Sequence, residues 1–216
     1  YGVAMFDNKI FAVDSKAGTF ATFDLAKQRY STFSGTGGGK MKLPINITVD
    51  QDGTKYVTDT GRNQVLLYDR DNRYMGAYGE PDQFRPVDTV IVDDKLYVVD
   101  ILHHEIEVLH KRTGKLLYKF GKKGGEPGEM LHPTNIAIGP NGDVFVVETS
   151  NFRVQRFTPE GKHVRFYGEV GDTSGKFARP KGIAIDREGL MHVADAAFQN
   201  VQVFDTNTGK LMLAYG

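Results

Sequence analysis

Apolar residues along this chain fall in short runs of strand length, each closed by Gly, Asp, Asn or Thr. The C-terminal stretch shows the unit most clearly. Pro180–Asp186, Leu190–Asp195, Asn200–Phe204 and Lys210–Gly216 are four such runs, with Val, Ile, Phe and Tyr recurring in them. That length and composition favour strands. Asp186–Gly189 and Asp205–Gly209 carry hairpin chemistry, Gly and Asx residues that tolerate positive φ. Ala196–Gln199 joins the second and third runs less regularly. The unit predicted is a four-stranded antiparallel meander.

The unit recurs. Pro44, Pro86, Pro133 and Pro180 stand 42, 47 and 47 positions apart. The acid closing the second run keeps step as Asp14, Asp59, Asp100, Glu148 and Asp195. So does an aromatic near the end of the fourth: Phe33, Tyr78, Phe120, Tyr167 and Tyr215. The first copy lacks the proline, yet Gly2–Asp14 aligns without a gap on Asp88–Asp100, and both use a short first hairpin, Asp7–Asn8 or Asp93–Asp94. A period of this length marks propeller blades or helical arrays. No stretch sets apolar residues at i, i+3 and i+4 over three turns, so blades are the reading.

Runs such as Leu96–Val99 and Phe145–Val147 are apolar on both faces and need cover on both. Radial packing of sheets supplies that cover and leaves only short edges. Gly2, Ala4, Ala137, Gly182 and Ala184 suit a crowded axis, and proline at the head of the innermost strand sits where its missing N–H is tolerated. The fold expected is all-β: a single β-propeller domain over residues 1–216, with four-stranded antiparallel blades near 1–35, 36–80, 81–122, 123–169 and 170–216. The segments Ser34–Gly39, Gly79–Asp82, Gly121–Gly128 and Gly168–Gly175 return the chain from rim to axis between blades.

Composition narrows the chemistry more than the fold. Lys+Arg and Asp+Glu balance at 27 each, so bulk charge recommends neither nucleic acid nor an acidic partner. With no Cys, disulfides, thiolate metal sites and a cysteine nucleophile are excluded, and the compartment is left open. No apolar run approaches the ~18 residues that a membrane-spanning helix needs. The sequence starts at Tyr1 inside a repeat and without an initiator Met, which leads us to expect further sequence upstream.

Pro180–Asp186, Val193–Asp195, Asn200–Asp205 and Tyr215–Gly216, with Pro133–Ile138 and Asn151–Phe157 in the preceding copy, resemble the NHL-repeat β-propeller family. The likeness spans the chain and is nearest to exported bacterial six-bladed propellers, some of which accompany multihaem c-type cytochromes. It implies a sixth blade shared between segments outside residues 1–216, with a five-bladed ring as the alternative. It also implies a periplasmic or secreted protein, with a lipid anchor at an N-terminus outside these residues as one form of that. The family's frequent Asn-His-Arg before the third strand reads Ala17–Thr19, Arg62–Gln64, His103–Glu105, Asn151–Arg153 and Phe198–Asn200 here, diversified from blade to blade.

Residues flanking the marker prolines share one end of such a fold with the turns from second to third strand. Asn46, then Arg85 and Asp88, then His132 and Asn135, then Arg179 and Lys181 therefore ring the expected channel mouth, joined by His104 and Arg153 from the turns. The plainer alternative is that these are solvated loop residues satisfying backbone groups. The function expected is non-enzymatic binding or scaffolding of a protein or small ligand on that face, without a cofactor. The resemblance suggests a multihaem c-type cytochrome as partner.

A metal-dependent lyase or hydrolase is the second reading, because amidating lyases of the NHL group hold zinc with histidines from several blades. His104 and His132, from adjacent blades, are the pair placed to converge, and no spacing selects a third ligand. The adjacent His103 points away from His104. RNA binding comes third. Arg62, Arg85, Lys122, Lys123, Arg153 and Arg179 alternate with Glu80, Asp82, Asp88, Glu105, Glu126 and Asp172, whereas counterion release needs unopposed positive charge.

Other features have plain readings. An acid present in every blade does a repeated structural job, accepting N–H bonds from the turn behind it. Gly35–Lys40 looks like a phosphate loop, but Met41 stands where Ser or Thr belongs and a strand follows. His-Glu-x-x-His fails at Val108, and the sequon Asn46–Thr48 lies on an innermost strand.

Overall fold

Five four-stranded antiparallel sheets, each in sequential strand order, make the chain a β-propeller. The computed structural model describes residues 2–80 and 83–216; Tyr1, and Pro81 and Asp82 of the second inter-blade connection, lie outside that range. The strands are β1–β4 (Val3–Phe6, Lys9–Asp14, Thr19–Asp24, Arg29–Phe33), β5–β8 (Pro44–Val49, Lys55–Asp59, Gln64–Tyr68, Tyr74–Tyr78) and β9–β12 (Pro86–Val92, Lys95–Asp100, Glu105–His110, Leu116–Phe120). They continue as β13–β16 (Pro133–Ile138, Val144–Glu148, Arg153–Phe157, His163–Tyr167) and β17–β20 (Pro180–Ile185, Leu190–Asp195, Asn200–Asp205, Leu211–Tyr215). A 3-10 turn at Gly37–Gly39 is the sole helical segment among the described residues. No helix there is long and apolar enough to cross a membrane.

Two of the three periodic markers turn out to face each other. Pro44 pairs with Asp59, Pro86 with Asp100, Pro133 with Glu148 and Pro180 with Asp195, and the register slips beside each pair. A proline has no N–H to give the ladder, so pairing weakens there and the acid is free to bond elsewhere. At two of its positions the third marker acts across sheets. Tyr78 Oη donates to the Lys111 carbonyl (2.9 Å) and Tyr167 Oη to the Thr206 carbonyl (2.6 Å). Each hydroxyl thus reaches from a fourth strand to the turn after the third strand of the following sheet. Tyr118 does the same with the Pro159 carbonyl at 2.7 Å.

The chain divides into two compact units, one running through Leu102 and including Val108–Leu117, the other comprising His103–Glu107 and Tyr118–Gly216. In the first, Phe11, Phe20, Ile47, Val57 and Leu66 form one core, and Tyr56, Val65, Leu67, Phe84, Leu96, Val98 and Leu109 another. Tyr56 and Val57 are neighbours on β6 yet belong to different cores, as alternation on a strand covered on both faces requires. In the second unit, Phe145, Val147, Val154, Tyr167, Phe177, Met191, Val193 and Phe204 fill the space between the fourth and fifth sheets.

The glycines of the first connection are architectural. Gly35 has φ +73°, and a Cβ there would come 1.9 Å from the Gly39 carbonyl oxygen. Gly35→Ala is therefore expected to lower stability by about 2–3 kcal/mol, read as a shift in the urea unfolding midpoint.

Candidate functional site

The repeated acids account for most of the polar chemistry at the proline-bearing end. Asp195, almost fully buried, accepts N–H bonds from Ala178 (2.8 Å) and Arg179 (3.0 Å) ahead of Pro180. It takes two more from Ala197 (2.9 Å) and Phe198 (3.2 Å) in the turn behind it. Burial pushes this carboxyl up, but the four N–H bonds outweigh it and hold the pKa below the usual value. Asp59 does the same for Lys42 and Leu43 on one side and Gly61 and Arg62 on the other. The acid clamps the entry to the first strand as well as the turn, a second task that its position in the repeat did not reveal.

In the first unit, Asn46 and Asp88 come together: the Asn46 amide donates to the Asp88 carboxylate. Asp88 is 6% exposed and also accepts the Thr89 N–H at 2.7 Å. Beside them the Thr48 and Thr89 hydroxyls lie 2.9 Å apart. These side chains stitch β5 to β9. Arg85 is held through its backbone, its N–H on Asp100 (3.1 Å) and its carbonyl on Ile101 (3.1 Å), and its side chain is exposed.

In the second unit the fourth sheet departs from the pattern. Leu131 still donates its N–H to Glu148 (3.0 Å), but the His132 N–H goes to His104 Nδ1 (3.0 Å). Glu148 is one methylene longer than the Asp of the other described clamps, and it binds Arg153 Nε (2.8 Å), Asn151 Nδ2 and Gln155 Nε2 (2.5 Å each). The Arg153 guanidinium is further occupied by the Gly125 and Glu129 carbonyls and lies 3.9 Å from the centre of the Phe166 ring. Arg153 is thus a structural strut within its own sheet and loop.

The two histidine rings are 5.1 Å apart, edge to face. His132 Nδ1 sits 2.7 Å from Ser150 Oγ, so the Nδ1 atoms of both rings are engaged and a shared cation would have to use Nε2 of each. Neither belongs to a three-ligand cluster among the described residues. Both have left-handed backbones, φ +59° and +49°. For His104 this is ordinary turn geometry, because Asn63, Phe152 and Gln199 hold the same place with φ +55° each. His132 has no left-handed counterpart at the head of another described first strand.

Asn135 lies half-buried on β13, opposite Val147. Arg179 is exposed and Lys181 half-buried at the head of β17, and no hydrogen bond or ion pair occupies either side-chain cation among the described residues. Burial, helped by the Arg179 charge, holds the Lys181 pKa below that of an ordinary lysine.

Two polar residues escaped the sequence reading. Gln155 accepts the Gly128 N–H (3.1 Å) and donates to the Glu129 carbonyl (2.6 Å). Gln202 repeats this on Gly175 (2.7 Å) and the Lys176 carbonyl (2.7 Å). Both are buried and fasten the glycine-rich connections to the third strands. The available signal was that each stands seven positions after its acid.

The NHL repeat family model matches residues 130–157. Among curated proteins, the chain is 27% identical to protein brain tumor of Drosophila melanogaster over 65% of this chain and 13% of that one. It is 28% identical to peptidylglycine alpha-amidating monooxygenase of Rattus norvegicus, over 73% and 16% of the two chains. NHL repeat-containing protein 3 of Homo sapiens is 23% identical over 78% and 54%. The chain spans only part of the length of each of these relatives. Among solved structures, a streptogramin B lyase superposes with TM-score 0.76 at 19% identity, covering all of this chain and 67% of the lyase. Virginiamycin B lyase of Staphylococcus aureus gives 0.75 at 16% identity, over 100% and 69%. These likenesses establish the fold.

Proposed function

From a β-propeller that carries an NHL repeat, we propose a non-enzymatic binding module that engages an acidic segment of a protein partner through Arg179 and Lys181. The observation that carries this is the contrast between spent and unspent charge. The repeated acids and Arg153 are consumed in holding the sheets. Arg179 and Lys181 stand two positions apart, uncommitted, and close enough that one disfavours the charge of the other. A half-buried cation without a counter-charge is stabilised when a partner supplies one. Loops and strand heads on a rigid scaffold commonly serve this purpose.

The proposal places the protein outside the cytoplasm, with multihaem c-type cytochromes as the first partners to test. Tagged protein would be purified from cells exporting such a cytochrome, beside an Arg179→Ala/Lys181→Ala variant. Haem absorbance is expected to copurify with the original chain and to fall about tenfold or more with the variant, at unchanged melting temperature. Haem retained equally by the variant removes the assigned surface, and haem absent from both removes the partner.

The 5.1 Å approach of His104 and His132 favours a second reading, a metal-dependent lyase or hydrolase. It requires stoichiometric zinc in the purified chain that is lost on His132→Ala.

A further inference from the structure

At the end of the first unit where β5 turns into β6 and β11 into β12, the second and third sheets enclose two clefts, of about 280 and 260 Å³. They share one wall, the ion pair between Lys111 Nζ and Asp50 (2.8 Å), whose side chains are 14% and 9% exposed. Around that wall the turn is fixed firmly. The Lys111 carbonyl accepts both Tyr56 Oη (3.1 Å) and Tyr78 Oη (2.9 Å), and its N–H donates to the Asp94 carbonyl at 2.8 Å. This cleft is pre-formed and lies apart from the marker prolines.

The second cleft combines three properties. Its apolar lining is Leu67 and Met75 with the rings of Tyr56 and Tyr78. Its inner charge is already neutralised, since Asp50 and Lys111 hold each other. Its outer margin carries Asp52 and Arg112, which belong to no ion pair with each other or with any other described residue. They are near enough that the Arg112 charge contributes to a lowered Asp52 pKa, after the larger effect of the Thr54 N–H bond. A carboxylate and a guanidinium therefore flank one apolar slot without meeting across it.

We propose that this slot binds a free α-amino acid with an apolar side chain. The ligand's ammonium would face Asp52, its carboxylate would face Arg112, and its side chain would lie along Leu67, Met75 and Tyr78. The charge balance decides the class. With Asp50 and Lys111 neutralising each other, a simple anion would answer Arg112 but meet the Asp52 charge, and a simple cation would answer Asp52 but meet the Arg112 charge. A zwitterion satisfies both margins and leaves the site neutral. Size agrees, for a cleft just under the roughly 300–1,000 Å³ range of drug-sized ligands suits a smaller molecule. Arginine also grips a carboxylate in a two-pronged geometry that lysine cannot offer. This site is independent of the surface formed by Arg179 and Lys181.

The test is calorimetric titration of the chain with L-leucine and L-methionine, beside leucinamide, which lacks the carboxylate, and 4-methylpentanoate, which lacks the ammonium. Saturable binding of at least one amino acid with a dissociation constant of about 1 mM or tighter is expected, with each truncated analogue about tenfold weaker or worse. Arg112→Gln and Asp52→Asn, both at exposed positions, should each weaken it about tenfold while leaving the melting temperature in place. Arg179→Ala should change nothing. The proposal is overturned if neither amino acid binds, if an analogue binds equally well, or if binding survives both cleft substitutions.

Discussion

Asp195→Ala is expected to cost about 3–5 kcal/mol, a large share of the roughly 5–15 kcal/mol that holds a typical domain folded. The substitution removes a carboxylate that accepts four N–H bonds and leaves those donors in a site where its own exposure is 1%. An unsatisfied buried N–H costs about 1–3 kcal/mol, and some of the four will find water, which sets the range. Asp195→Asn keeps one acceptor oxygen and should lose about half as much. The pH dependence has a definite sign. The folded carboxyl titrates below its usual value, so its contribution is complete above the unfolded carboxylate range, about pH 4, and is lost as pH falls through the folded pKa. Urea midpoints of the original chain and Asp195→Asn should therefore differ most near neutrality and converge in acid. A gap that stays constant to about pH 2 would show that the acid is not titrating as a clamp.

Glu148→Ala is the second large effect, about 3–5 kcal/mol, and its cause differs. Here the loss strands a charge. Glu148 is fully buried and Arg153 is 13% exposed, so removing the acid leaves a guanidinium with carbonyl partners but no counter-ion. Gln155 and Asn151 lose an acceptor in the same step. The double change Glu148→Ala/Arg153→Ala should cost less than the two single changes added together, because it removes the stranded charge along with its partner. Glu148→Asp restores the acid of the other clamps but is too short to serve both Leu131 and Arg153, and a loss of about 1–2 kcal/mol is expected. A double-mutant cycle of denaturant midpoints reads all three. Additive losses would show that Glu148 and Arg153 are not coupled.

The architecture was legible because its causes are repeated. Proline and acid recur because the second to fifth sheets share the same ladder gap and clamp, and a tyrosine latch ties three of the sheets to the next. The departures were harder to see. Arg153 reads in sequence as one of several basic residues at a loop. What claims it is Glu148, and the visible sign was a single Glu in a row of Asp. His132 combines a left-handed backbone with an N–H bond to a histidine 28 positions earlier, a pairing that no local rule anticipates. Gln155 and Gln202 were concealed by sitting in two sheets only. Lys111 and Asp50 are separated by a whole blade in sequence, so the clefts that their ion pair walls exist only once the sheets are stacked.

The tyrosine latch bears on how such a chain can arise and change. Its acceptors are the carbonyls of Lys111, Pro159 and Thr206, three side chains with nothing in common. A main-chain oxygen is offered by any residue, so the joint asks nothing of the genetic code at the receiving position. A duplicated repeat can dock on its neighbour in the generation it appears, and its turns are then free to drift toward new chemistry without loosening the seam.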